Sequence, residues 1–405
     1  MIYIMEKPKE TKSKLLAVEG LRGVACLMVV LSHICLTFYP YLVSSGGRYS
    51  RGYEGTIGRI FEGFIFDSPL TFVFSGQYAV FVFFVLSGYI LTEVANRPEK
   101  KLERIAKMSL KRYPRLMIPA LFSTIFVYYL FEYTAVSSSL VSNWINEFGQ
   151  FDKSLSTAIY SGAIDAFFVS GSSNYNWVLW TMQIELIGSI IIFFCCINIS
   201  FINIRALPLF IVLVIFILFF LNILGAVPSV GLIAFIVGYY FSRIGLPVSN
   251  NLGVLLFVIG LYLAGAHNDS ISYSFIQSLL GGKMSLVLNF FSGIFIVYSI
   301  IFNKRLHYLF SNYIFVFLGK VSFSVYVIHL PIIAVFGVGL FEVIFEITQS
   351  YYLSSFIASL SSIIVIYLIS ILVYKYIDVS GMKISDVFAK TILKSYTKLK
   401  TIKYT

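Results

Sequence analysis

The chain has 405 residues, 58% of them hydrophobic and 12% charged, with a mean hydropathy of +0.87 and a net charge of +11. Soluble domains run near half apolar and a quarter charged, so this composition excludes a water-soluble protein and describes a polytopic membrane protein. About 20 apolar residues cross a bilayer core.

Ten such segments are read in chain order, roughly at 15–37, 71–93, 115–134, 177–197, 206–225, 229–243, 252–267, 284–302, 313–340 and 355–376. The expected fold class is all-α: a polytopic membrane helix bundle of about ten transmembrane helices, with N- and C-termini cytoplasmic. Before the first span lies a polar, basic stretch with Lys7, Lys9, Lys12 and Lys14. The run that follows is long and lacks a small-residue cleavage site, so an uncleaved first helix is expected rather than a signal peptide. Two outer loops, 39–70 and 135–176, are too short to form separate soluble domains. The linker 97–115 is basic, with Leu102, Ile105, Ala106 and Leu110 between the charges, a spacing that fits a helix on the membrane surface. The membrane domain is placed at 1–378 and a basic cytoplasmic tail at 379–405. In the tail, Lys390, Lys394 and Lys398 form one helical stripe suited to acidic lipids, or simply a solubilising segment held by charge.

Orientation follows from Lys and Arg placement. With the amino terminus inside, the outer segments hold only Arg48, Arg51, Arg59, Lys153 and Lys283 of the 30 Lys and Arg. The positive charge is therefore a topology and lipid signal, and it does not point to nucleic acid. Cys26, Cys35, Cys195 and Cys196 all fall in spans and make no metal spacing, so they are expected to be small apolar packers.

Ionisable residues inside the spans carry the functional signal, because each is costly there and faces a bundle interior or a cavity. The first span reads EGLRGVACLMVVLSH, Glu19 to His33. Arg22 and His33 are eleven residues apart, close to three helical turns, which puts them on one face about 16 Å apart. Glu19 lies one turn before Arg22 and can pair with it. A structural ion pair and a satisfied polar His33 account for this segment as well as a site does. Span four, NWVLWTMQIELIGS, places Glu185 about 12 Å in from Trp177. Span nine, LGKVSFSVYVIHLPII, places His329 in the outer half. His33, Glu185 and His329 are thus expected at similar depth. A His beside a carboxylate is oriented and made more basic, as a general base requires. His329 also has a plain reading as a packing residue before Pro331.

An inner cluster is expected as well. Ser87 and Gly88 end span two in FFVLSGYILT, where Gly allows close approach by a ligand or, more commonly, by a neighbouring helix. Arg112 and Arg115 stand in LKRYPRLMIP, on one helical face if the turn survives Pro114. Paired guanidinium groups suit phosphates, although positive-inside anchoring explains most of the basic residues nearby. A long donor with a phosphorylated head and a reactive tip, such as acyl-coenzyme A, would fill the space between these arginines and His33.

Together these motifs resemble the acyltransferase family 3 of integral membrane proteins over about 15–378. The likeness lies in Arg22 and His33 with ten residues between them, FFVLSG in span two, Arg112-x-x-Arg115, WTMQIE, and LGKVSFSVYVIHLP. The resemblance implies transfer of acyl groups, usually acetyl, from cytoplasmic acyl-CoA to hydroxyls of cell-surface or lipid-linked glycans. It implies His33 as general base, with Glu185 and His329 beside the reaction. Arg22, Arg112 and Arg115 would contact the donor's phosphates or orient it, with Ser87 and Gly88, read from span two, as further donor-binding candidates; the donor is a substrate and no metal is expected. Location in the cytoplasmic (inner) membrane, in contact with membrane lipid, is expected. The chain departs from the family in having Glu19 where Asp is usual, and LIGS after Glu185 where a second acid and aromatics are common. Some relatives add a C-terminal hydrolase-like domain. This chain stops after its tail, so the membrane domain is expected to act alone or with a partner. Arg48, Arg51 and Arg59 could meet an anionic glycan, but a solvated loop is the simpler account. The competing class is a transporter or flippase of a lipid-linked glycan, with the same buried charges lining its path.

Overall fold

The computed structural model describes residues 8–43, 56–134, 138–151, 154–201 and 206–403. Lys7, Arg48, Arg51 and Lys153, named above, lie outside them. Among the described residues the secondary structure is helical, with no strand. The main helices are α1 (Pro8–Phe38), α2 (Thr56–Phe66), α3 (Gly76–Ala95), α4 (Lys101–Tyr133), α5 (Asn143–Glu147), α6 (Thr181–Phe201), α7 (Leu207–Phe220), α8 (Ala226–Ile244), α9 (Asn250–Ala264), α10 (Met284–Phe302), α11 (Tyr313–Ile332), α12 (Val338–Thr348), α13 (Tyr351–Val373) and α14 (Val379–Lys403).

Eight helical segments are long and apolar enough to cross a membrane. The other two expected spans form α7 and α9, of 14 and 15 residues. At 1.5 Å per residue these rise about 21–23 Å, short of a hydrocarbon core of about 30 Å. The chain turns soon after α7, where Asn222 takes the left-handed conformation at φ +56°. The linker and third span, read as separate elements, are one helix of 33 residues that runs through Pro114 and Pro119. Each Pro removes one backbone donor, and a membrane helix tolerates this where its surroundings satisfy the freed carbonyl. Arg112 and Arg115 therefore do share one continuous helix.

The chain forms two compact units. The first comprises 1–86, 136–148 and 243–365; the second comprises 87–135, 149–242 and 366–405. Three of their boundaries fall inside helices, in α3, α8 and α13.

In the first unit, α1 packs along α11 through glycines. A side chain at Gly23 would collide with the backbone at Gly319 and Phe315, and one at Gly319 would collide with the Glu19 carbonyl. Small residues at such a seam let the two backbones approach, which is how membrane helices gain dispersion contact without a hydrophobic driving force. Cys26 Sγ donates to the Ser322 carbonyl at 3.1 Å. Further along, His33 meets His329. Gly23 with Gly319, Cys26 with Ser322 and His33 with His329 share one offset of 296 residues. A constant offset means that α1 and α11 run in the same direction. The seven-residue step from Cys26 to His33 keeps the contacts on one seam. After Pro331 the helix widens into a π turn at Ile333–Gly337 before α12.

In the second unit, α14 packs against α4. Asp386 of α14 takes Lys107 and Lys111 of α4, each at 2.9 Å, and Lys390 at 2.8 Å. The basic tail is thus a helix docked on the basic half of α4.

Candidate active site

The first unit carries the two histidines. His33 sits little more than a turn before the end of α1, and His329 lies on α11 two residues before Pro331. His33 Nδ1 and His329 Nε2 are 2.7 Å apart. The ring centroids are 5.0 Å apart and the planes differ by 5°. That separation is what an in-line N–H···N bond gives, so the rings lie edge to edge in a common plane. His329 Nδ1 lies 3.1 Å from the Val325 carbonyl one turn earlier. His329 is fully buried, at 0% exposure, whereas His33 remains partly accessible.

Trp144 stacks on His33, with centroids 5.3 Å apart and planes 26° from parallel. It stands on α5, in the loop before the fourth expected span. The Ser142 side chain caps that helix by accepting from the Trp144 amide. The Ser142 amide donates to the Thr37 carbonyl at 3.1 Å, tying the segment to the end of α1. At the other end of the same α1 face, Arg22 pairs with Glu19 at 3.3 Å, as the one-turn spacing implied.

Glu62 of α2 is a further buried acid of this unit, 3% exposed. It accepts from the Tyr41 amide at 3.2 Å and from the Tyr352 hydroxyl at 3.0 Å. Burial pushes its carboxyl up to about 7, against the pull of those two donors.

The second unit holds the other expected site residues. Arg112 Nη2 lies 2.5 Å from Glu185 Oε2, and each side chain is 13% exposed. Ser87 Oγ donates to the same carboxylate, 3.0 Å from Oε1 and 3.2 Å from Oε2. Glu185 was expected at the depth of the two histidines; the structure joins it to Ser87 and Arg112, the residues read as the inner cluster. Arg115 is exposed on α4. Gly88 faces the backbone of Phe235 on α8, where a side chain would collide with the carbonyl. Close helix packing therefore explains Gly88.

The sequence reading missed Trp144 and Glu62. Trp144 is one of three Trp in the chain and the only one outside the fourth span, which is the one signal that could have singled it out. Glu62 sits in the apolar run RIFEGFIF, where a lone acid is a cue to burial.

These are the features of a multi-pass membrane protein with paired polar groups built into its spanning helices. The chain belongs to acyltransferase family 3: the family model, described as an acyltransferase domain, matches residues 15–375, and the protein is therefore a membrane acyltransferase. Comparison with curated proteins gives no match. Comparison with solved structures gives none either.

Proposed function

We propose that the protein moves an acyl group, acetyl in the first instance, from acyl-CoA to a hydroxyl of a cell-surface or lipid-linked polysaccharide. The observation that carries this reading is an accessible imidazole, His33, on the apolar helix that also bears Arg22, backed by the buried His329 of α11. His33 acts as general base. It takes the proton of the acceptor hydroxyl as that oxygen bonds to the thioester carbonyl carbon. The carbon–sulfur bond then breaks, and the coenzyme thiolate leaves with the proton returned by His33. Arg22, about 16 Å away along α1, suits the phosphorylated part of the donor. Arg112 and Arg115, in the second unit, remain proposed phosphate contacts in their own right; Glu185 pairs with Arg112, and Ser87 donates to Glu185. With the Lys-rich segments in the cytoplasm, the donor comes from inside and the acceptor is modified near the outer face of the inner membrane.

The test measures O-acetyl content of surface polysaccharide in intact, deleted and His33→Ala strains at matched protein level. Loss of acetyl groups in both mutants is the expected result. Loss of the polysaccharide itself on deletion, with normal acetylation in His33→Ala, would instead identify a glycan exporter. No change in either would remove this glycan as acceptor.

A further inference from the structure

The hydrogen-bond chain around His33 has a direction. A carbonyl oxygen only accepts, so His329 Nδ1, 3.1 Å from the Val325 oxygen, must carry a proton. A neutral His329 then has a bare Nε2. That nitrogen lies 2.7 Å from His33 Nδ1, which must therefore be the donor. A neutral His33 with its proton on Nδ1 has its lone pair on Nε2. The reverse arrangement, with His329 donating from both nitrogens, would make it an imidazolium at 0% exposure. Its hydrogen-bonding neighbours there are a carbonyl and a neutral imidazole, which do not repay the burial of a full charge.

We infer that His329 is a positioning residue, set by the Val325 carbonyl, which draws the Nδ1 proton of His33 and so presents the His33 Nε2 lone pair as the base. The inference rests on the proposed acyl transfer only for the use made of that lone pair; the tautomer itself follows from the geometry. Two consequences belong to it. His329 does not exchange protons with the acceptor, because it is enclosed while His33 is accessible. When His33 takes the acceptor's proton, its Nδ1–H bond to His329 strengthens, and the Trp144 face stacked beside it attracts the resulting cation. A second imidazole thereby fills the orienting role that a carboxylate fills in a Ser-His-Asp triad.

The experiment is nitrogen-15 NMR of the full-length protein, with labelled histidine, in lipid nanodiscs, combined with steady-state kinetics using acetyl-CoA. His33→Ala assigns the resonances. The expected result is a His33 ring protonated at Nδ1 and a His329 ring protonated at Nδ1. His329→Leu removes the acceptor and should let the His33 proton move to Nε2. It should lower kcat about 100-fold with the donor KM unchanged. His329→Gln, whose amide oxygen can accept the same proton, should restore the Nδ1 tautomer and much of the rate. A wild-type His33 protonated at Nε2 overturns the inference, whatever the activity, and needs no variant to fold. The Nδ1 tautomer in a protein that transfers no acyl group would uphold the relay and overturn the proposed function instead.

Discussion

At the scale of single residues, the Arg112–Glu185 pair has a cost that can be measured. Both groups are nearly out of water, so removing one leaves the other charge unpaired, whereas removing both does not. Glu185→Ala and Arg112→Ala should each destabilise the protein by about 3 kcal/mol. The double variant should be less destabilised than the sum, as thermal unfolding in detergent would show. Glu62 gives a second prediction. The folded protein holds the Glu62 proton more tightly than the unfolded chain does, with the carboxyl raised from 4.5 to about 7. Its contribution to stability is therefore complete below about pH 4.5, and it is lost as pH rises through 7. Protection of the α2 amides, after correction for their intrinsic exchange rates, should fall between pH 4.5 and pH 7 in the wild type, and Glu62→Gln should remove that fall. Glu19, Arg22, His33, Glu185 and His329 were legible because an ionisable group in a long apolar run needs a reason. Which of them touch was not legible. Depth along separate helices grouped Glu185 with the histidines, but rotation and tilt decide partners, and a single sequence carries neither.

At the scale of elements, the α1–α11 seam is the feature that aligns the two histidines. Its glycines allow no substitution without backbone movement. Gly319→Ala should cost about 2 kcal/mol through overpacking against the Glu19 carbonyl. Detergent thermal unfolding checks this, and acyl transfer should fall in step. Inserting one alanine between Cys26 and His33 turns His33 by about 100° away from its partner. That variant should insert normally in the membrane and transfer no acyl groups. Hydropathy made the spans visible, since it reads the lipid-facing surface directly. It did not show that the linker and third span are one helix, because polar and apolar halves of a continuous helix look like two elements. Nor did it reveal α5, five residues in a polar loop, whose position is set by a cap and by contact with α1.

At the scale of the whole molecule, the shared direction of α1 and α11 constrains topology. If each of the eight long segments crosses once, the short helices α7 and α9 must both cross or neither does. Either way the number of crossings is even, and the termini lie on the same side. The Lys and Arg distribution predicts that this side is the cytoplasm. Reporter fusions should be active as cytoplasmic fusions at both ends, and a cysteine replacing Lys283 should react with an impermeant reagent from outside. The division into two units was invisible in the sequence, because three of its boundaries fall within apolar helices and leave no linker to read there.

The fixed offset of 296 residues between α1 and α11 also sets a timetable. At ribosomal speeds of about 5–20 residues per second, His329 is made about 15–60 s after His33. Through that interval α1 sits in the membrane with its glycine seam uncovered and no acceptor for the His33 proton. A chain that stops in its first three quarters therefore has an imidazole but no oriented base. Interrupted synthesis yields a membrane protein unable to consume acyl donor, and the reaction becomes available only to a chain that has been read through to its closing helices.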